Sequence, residues 1–323
     1  MKTRSKTRGP RPPFSIVECA QHVQHDQTNG EITSASHSPL KWAGGKRWLI
    51  CELRTVIPKK FDWYIEPFAG GASVFFSLAP QKAVLADLNG ELIATYRAIQ
   101  VASDAVWRAL GIHASQHSTE YYYQVRQQQP TRAAEIAARF LYLNRTCWNG
   151  LFRVNLRGYF NVPRGTKDQV LLPTDSPSKF ASILQSAELY WSDFEMLVDG
   201  AGKGDLIYAD PPYTVKHNLN GFLKYNESIF SWADQERLAE SLRAARSRGA
   251  FVIVSNADHD SVRQLYEKDF QVKRVKRSSI IAGQARFRAA TSELLIVGEP
   301  KITIRSASSN SHLQNDTHRR AHK

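Results

Sequence analysis

Trp63-Tyr64-Ile65-Glu66-Pro67-Phe68-Ala69-Gly70-Gly71-Ala72-Ser73 is a short apolar run closed by a carboxylate and followed at once by a glycine turn. An apolar run of that length suits a strand buried on both faces. The glycines permit positive φ and let a ligand come close to the backbone. Further along, Ala83-Val84-Leu85-Ala86 ends at Asp87, and Leu206-Ile207-Tyr208-Ala209 ends at Asp210. Phe251 to Val254 and Leu294 to Val297 are two more runs, and Leu92 to Gln100 and Gln235 to Ser247 carry helical patterns between them. Short apolar runs alternating with helices predict an α/β fold with a mostly parallel sheet. Ligands in such sheets sit beyond the carboxyl ends of the strands, and three of these runs end there in Glu or Asp.

The stretch from 101 to 188 breaks the rhythm. A helical segment, Ala133 to Leu143, leads into Asn144-Arg145-Thr146-Cys147-Trp148-Asn149-Gly150 and a Gly/Pro-marked, hairpin-like region up to Gly165. Basic and aromatic residues alternate in it, and it reads as an inserted domain between two parts of the sheet, 38–100 and 189–303. Residues 1–37, with Lys2, Arg4, Lys6, Arg8 and Arg11, and residues 304–323 are polar and aperiodic, and read as tails.

The chain has 323 residues and a formal charge of +13, so a polyanionic partner is favoured, although charge that only keeps the protein soluble is the plainer reading. Three scattered cysteines, Cys19, Cys51 and Cys147, form no CxxC pair, which argues against a zinc site or a disulfide framework. With no apolar stretch long enough to span a bilayer, the expectation is a soluble protein of the cytoplasm without membrane or metal partners. Gly44-Gly45-Lys46 precedes Arg47 and Gly202-Lys203 precedes Gly204, so neither is a P-loop. His113 and His117 have i, i+4 spacing without a completing Glu and are read as surface residues.

Three constellations carry chemistry. In the glycine turn, Asp87 lies 17 positions after Gly70, a spacing at which a strand-end carboxylate binds a ribose hydroxyl pair; capping the helix near Glu91 is a second role open to it. In Asp210-Pro211-Pro212-Tyr213, two prolines stiffen the loop, the carboxylate and a proline carbonyl can accept hydrogens from an exocyclic amine, and the tyrosine ring can stack on a planar base. In Pro39-Leu40-Lys41-Trp42-Ala43-Gly44-Gly45-Lys46, the Trp suits a ring or a phosphate, and equally a loop anchored by its indole.

Taken in this order, KWAGGK, EPFAGG, LADLN, FLYLNR, the NGL-R-NLRG-FNVP-G stretch, DPPY and SNAD resemble the Dam-like family of adenine-specific DNA methyltransferases over about Pro39 to Pro300. The resemblance implies a Rossmann-like S-adenosylmethionine-dependent sheet with an inserted, mostly helical DNA-recognition domain that contains a hairpin. It implies methyl transfer from S-adenosylmethionine to adenine N6 in double-stranded DNA, by a monomer without a metal, with the base flipped out. Asp210, Pro211, Pro212 and Tyr213 would be catalytic. Trp42, Lys46, Glu66, Phe68, Gly70, Asp87 and Asp210 would contact the cofactor. Lys41, Trp148, Asn149, Leu151, Arg153 and Pro163 would contact DNA, with Trp148 where the family usually has an intercalating Tyr. Related members read GATC; Tyr159, where an acidic residue is common, and Thr166-Lys167 after Gly165 are departures. The same amine-binding loop also suits cytosine N4, and a catalytically silent DNA-binding protein is the alternative from another class.

Overall fold

The computed structural model describes residues 37–42, 44–155, 157–215, 230–277 and 291–301. The expected tails, apart from His37 in the first, lie outside the described residues.

The apolar runs form strands: β1 (Tyr64–Glu66), β2 (Ala83–Asp87), β3 (Ala187–Trp191), β4 (Leu206–Ala209), β5 (Phe251–Ala257), β6 (Gln271–Arg277) and β7 (Thr291–Gly298). They make one seven-stranded sheet in the order β3-β2-β1-β4-β5-β7-β6. β1 to β5 are parallel, with Tyr64 opposite both Ala83 and Leu206, and Leu206 opposite Phe251. β7 runs against both its neighbours. This is the Rossmann-like α/β sheet expected, and the strand order reverses between β1 and β4, where such sheets open a crevice.

Alternation along the strands sends side chains into two cores. Tyr64, Leu85, Leu206 and Tyr208 pack on one face, while Ile65, Ala86, Ile207 and Ala209 pack on the other. The first face is covered by α3 (Gly90–Ser115), α5 (Ala133–Thr146) and α6 (Pro177–Leu184), the second by α7 (Phe194–Gly200), α8 (Trp232–Ser247) and α9 (Asp260–Tyr266). Shorter helices are α1 (Ile50–Val56), α2 (Ser73–Leu78) and α4 (Thr119–Gln127). α8 starts with a capping box formed by Ser231 and Asp234. α3 is capped by Asn89, whose side chain accepts from Leu92 N, so the capping role open to Asp87 falls to its neighbour two positions on. α3 crosses position 100 without ending, and kinks at Ala102. One hydrophobic cluster joins Tyr64 and Phe75 beside the sheet to Phe140, Phe160 and Phe180 of the 101–188 stretch.

Two strands escaped the sequence reading, and both are edges. β3 is interrupted by Glu188, and β6 is loaded with Lys273, Arg274, Lys276 and Arg277. Charge on an edge strand discourages pairing with other chains and at the same time masks the apolar signal. His113 and His117 also differ from the surface role expected. His113 Nδ1 meets Tyr121 Oη at 2.9 Å with its ring stacked on Tyr142, and His117 Nδ1 meets Tyr142 Oη at 2.8 Å. They are packing residues of the α3–α5 layer.

At the end of α5, Arg145 is fully buried and pairs with Asp175 through two bonds of 2.7 Å. The same guanidinium donates to the carbonyls of Val170 and Pro39. Next to it, Asn144 accepts from Lys41 N at 2.9 Å and donates to Lys41 O at 2.7 Å. These two side chains tie the segment ahead of β1 to the 101–188 stretch.

Candidate active site

Because β1, β2 and β4 are parallel neighbours, Glu66, Asp87 and Asp210 come out along one edge of the sheet. The turn after β1 brings Gly70, with φ +44°, back toward β2, where its N–H donates to Asp87 Oδ2 at 2.9 Å. Asn89 N donates to Oδ1 at the same distance, so each carboxylate oxygen of Asp87 holds one backbone amide. Burial pushes the Asp87 pKa up, and these amides pull it back. Glu66 is buried deeper, and burial holds its carboxyl well above the usual range against the hydrogen bond from Tyr64 Oη at 2.8 Å. Tyr96 Oη donates to the Gly70 carbonyl at 2.7 Å, which fixes the turn from behind.

Trp42 lies on this turn. A Cβ added at Gly70 would be 2.7 Å from its indole nitrogen, and one at Gly71 would be 2.8 Å from its Cβ. Only glycine allows that approach. The other side of the indole faces aromatic rings of the inserted stretch, Phe140 at 6.5 Å and Phe152 at 6.3 Å. Phe68, leaving the turn in the other direction, stacks on Phe194 at 5.3 Å and meets Phe230 edge-on at 5.4 Å.

The loop after β4 is the polar centre. Asp210 Oδ1 accepts from Lys46 Nζ at 2.9 Å and from Ser255 Oγ at 2.8 Å, and Ser255 meets Tyr208 Oη at 3.0 Å. Among the described residues neither donor goes to Oδ2, and 21% of the side chain stays exposed. Burial raises the Asp210 pKa, while the Lys46 charge opposes it. The Pro212 carbonyl accepts from Gln235 Nε2 at 3.3 Å, and Asn256 Nδ2 in turn donates to Gln235 Oε1 at 3.0 Å. Tyr213 donates its hydroxyl to Glu293 at 2.6 Å, and Lys46 Nζ lies 4.8 Å from the centre of its ring. The loop Asp210-Pro211-Pro212-Tyr213 is thus held from α8, β5 and β7 together.

A second set gathers at the end of α5. Asn149 and Gly150 take positive φ, +54° and +65°, and turn the chain back on itself. Trp148 N donates to the Pro163 carbonyl, Asn161 N to the Arg153 carbonyl, and short bridges join Cys147 to Arg164 and Val154 to Phe160. The hairpin-like region is therefore a paired hairpin. Lys41 joins this set, since a Cβ on Gly150 would be 3.0 Å from the Lys41 Cβ. Lys41, Trp148, Asn149, Arg153 and Pro163 are exposed and Leu151 half-buried; Trp148 keeps 50% of its surface. The Trp148 indole thus stands on the face of the hairpin and is not part of the core.

The sequence profile of the D12 class of N6 adenine-specific DNA methyltransferases matches residues 42–281, from Trp42 through the Asp210 loop. The chain belongs to this family. A type II methyltransferase, M1.LlaDCHI, of Lactococcus lactis is 34% identical over 265 residues, 79% of this chain and 93% of that one. The DNA adenine methylases of Salmonella typhi and Escherichia coli K12 are 34% and 33% identical over 271 residues, each match spanning 81% of this chain and 95% of theirs. Among solved structures, a precorrin-6y C5,15-methyltransferase of Geobacter metallireducens overlaps at a TM-score of 0.34 with 8% identity, over 81% of this chain and 98% of that one. That likeness is too loose to carry an argument.

For this D12-class chain, the polar centre contains residues to which the sequence reading gave no role. Ser255 and Asn256 stood in the SNAD motif, and their place at the end of β5, beside Asp210, was the available signal. Gln235 had no signal, since its contact spans 23 positions from a helix. Glu293 had none because it starts a strand instead of ending one. Among the described residues no group of His, Cys, Asp and Glu is placed to hold a metal ion, and no helix is long and apolar enough to cross a membrane.

Proposed function

We propose that the chain transfers a methyl group from S-adenosylmethionine to N6 of an adenine flipped out of double-stranded DNA, within GATC, acting as a monomer in the cytoplasm. The observation that carries this reading is the Asp210 carboxylate, set between the glycine turn and Tyr213 with its Oδ1 engaged and part of its surface open.

The edge of the sheet fits the donor. Asn89 Nδ2 and Ser192 Oγ are buried without a hydrogen-bond partner among the described residues, and both flank Asp87, which accepts from Asn89 N and, through its carbonyl, from Ser192 N. Unsatisfied buried polar atoms beside a strand-end carboxylate suit a nucleoside with hydroxyls and an amine. Trp42, Lys46, Glu66, Phe68 and Gly70 line the same edge. S-adenosylmethionine, when bound, supplies a methyl group made electrophilic by its sulfonium.

The adenine amine is a poor nucleophile because its lone pair is conjugated into the ring. Asp210 and the Pro211 carbonyl accept its two hydrogens, which favours a pyramidal nitrogen with the lone pair directed at the methyl group. As the N6–methyl bond forms and the methyl–sulfur bond breaks to leave a neutral thioether, positive charge grows on N6. The Asp210 carboxylate stabilises it, and the surplus N6 proton is then lost to solvent. Tyr213 stacks on the base, and Gln235, through Pro212, keeps the loop from relaxing. Positioning of this kind supplies much of the remaining acceleration.

The 101–188 stretch is the DNA-recognition part in this reading, despite its shared core. Trp148 fills the space left by the flipped base, flanked by Asn149. Arg153 donates Nε to Asn161 at 2.8 Å, an arrangement that leaves its two terminal nitrogens for a bidentate contact to guanine O6 and N7. Leu151 and Pro163 suit thymine methyl groups, and Lys41 reaches the same surface. Methylome sequencing of a host expressing the chain tests this reading, with N6-methyladenine confined to GATC expected. N4-methylcytosine, or no modification, would overturn the activity, and N6-methyladenine in another context would overturn only the site.

A pH dependence follows. Burial raises the Asp210 pKa, and the carboxylate form is the acceptor, so kcat/KM should fall as pH drops through a limb above the ordinary Asp value of about 3.9. Lys46 opposes the rise, so Lys46→Met should move that limb to higher pH. A limb that stays in place in Lys46→Met rules out Asp210 as its origin.

A further inference from the structure

Glu293 is buried at the start of β7, far in sequence from every motif, and it points at the loop that follows β4. Its Oε2 accepts the Tyr213 hydroxyl at 2.6 Å, and the same oxygen lies 3.7 Å from Lys46 Nζ. Lys46 in turn stands 2.9 Å from Asp210 and 4.8 Å from the centre of the Tyr213 ring. One carboxylate therefore meets both side chains that flank the place of the reacting amine.

We propose that Glu293 is a positioning residue for methyl transfer: it holds the Tyr213 ring through the phenol hydroxyl, so that the base stacks at a fixed height over Asp210. The inference rests on the reading of Tyr213 as the stacking platform. The geometry shows why the anchor is needed. A tyrosine at the end of a loop turns about two side-chain torsions, and the prolines stiffen the backbone without restraining either of them. A hydrogen bond from the far end of the ring to a buried carboxylate on another strand removes that freedom. The carboxylate itself is supported by the sheet, since Glu293 is in register with Ala257 of β5 and Val275 of β6. Lys46, placed between two carboxylates, offsets one of the two negative charges of the anchor and Asp210. A misplacement of about 1 Å in such an arrangement costs on the order of 10²-fold in rate.

The test is a mutant cycle on single-turnover methyl transfer to duplex DNA. Tyr213→Phe removes only the hydroxyl, whereas Glu293→Ala removes its acceptor and also the carboxylate 3.7 Å from Lys46 Nζ. Tyr213→Phe is expected to slow the step by about tenfold, and Glu293→Ala by at least as much. Adding Tyr213→Phe to Glu293→Ala should cost little more, instead of a further factor of about ten, because the hydroxyl has already lost its acceptor. Glu293→Gln keeps an acceptor at the same reach and should restore most of the rate, while KM for DNA stays near wild type throughout. A structural role alone would leave the cycle additive, and additive losses, or a wild-type rate in Glu293→Ala, overturn the inference. If Glu293→Ala does not fold, Glu293→Leu takes its place in the cycle, and a Tyr213→Phe variant at the wild-type rate is by itself enough to overturn the inference. Tyr213→Ala separates the two readings. Full activity in that variant sinks the platform itself, whereas a large loss there beside a silent Glu293→Ala sinks only the anchor.

Discussion

Replacing Asp210 by asparagine is expected to lower the rate of methyl transfer to duplex DNA by about 10²–10³-fold, with cofactor affinity much less affected. In the proposed mechanism the carboxylate accepts from the substrate amine and supplies the negative charge opposite a nitrogen that becomes cationic. Asparagine keeps the shape and loses the charge, and its amide nitrogen is a donor facing donors. Ser255 and Lys46 both point hydrogens at Oδ1, so the amide must set its oxygen there and turn its nitrogen toward the base. The loss should therefore fall on kcat. Asp210→Ala should be as slow and less stable as well, since it leaves the buried Lys46 ammonium with the Gly44 carbonyl at 2.6 Å and Glu293 at 3.7 Å. Incorporation of a labelled methyl group, beside calorimetric titration of the cofactor, measures both. An Asp210→Asn variant that methylates at the wild-type rate would remove Asp210 from the mechanism.

The largest expected effect on stability is at the joint where Arg145 meets Asp175 under the hairpin. Arg145→Ala should cost about 3–5 kcal/mol, because it leaves Asp175 with 9% of its side chain exposed and no cation beside it. It also strips a donor from the carbonyls of Pro39 and Val170. The Arg145→Met, Asp175→Leu double variant removes both charges and should recover much of that loss, since a buried pair is costly to break and far less costly to replace. Chemical denaturation of the three proteins decides it. Equal midpoints for Arg145→Ala and wild type would show that the pair contributes nothing. The single variant should also weaken DNA binding if the proposed contacts hold, because Arg145 anchors Pro39, two residues ahead of Lys41.

Much of the fold is legible in local signals. β1, β2, β4, β5 and β7 follow from apolar runs, α3, α5 and α8 from helical periodicity, and all lie where the pattern predicts them. The acids that end β1, β2 and β4 mark the site for a related reason, since parallel strands bring their carboxyl ends to one edge whatever the rest of the chain does. The hairpin was legible from its glycines and prolines. The extent of α3 was not, because it runs past position 100 into a stretch whose composition looks like a separate unit.

By itself, then, the sequence determined an α/β sheet, a glycine turn with its carboxylates, a stiff Asp210-Pro211-Pro212-Tyr213 loop and the family these imply. It could do so because each of those features is encoded within a few neighbouring residues. The tertiary structure alone decided that Lys46 and Ser255 share one oxygen of Asp210, that Asn144 and Arg145 join the two parts of the chain, and that Glu293 belongs to the site. The last depends on strand direction. β7 runs against β5, so its first residues, not its last, reach the carboxyl edge of the sheet. Direction is set by how the chain returns across the whole sheet, and no local pattern around Glu293 records it.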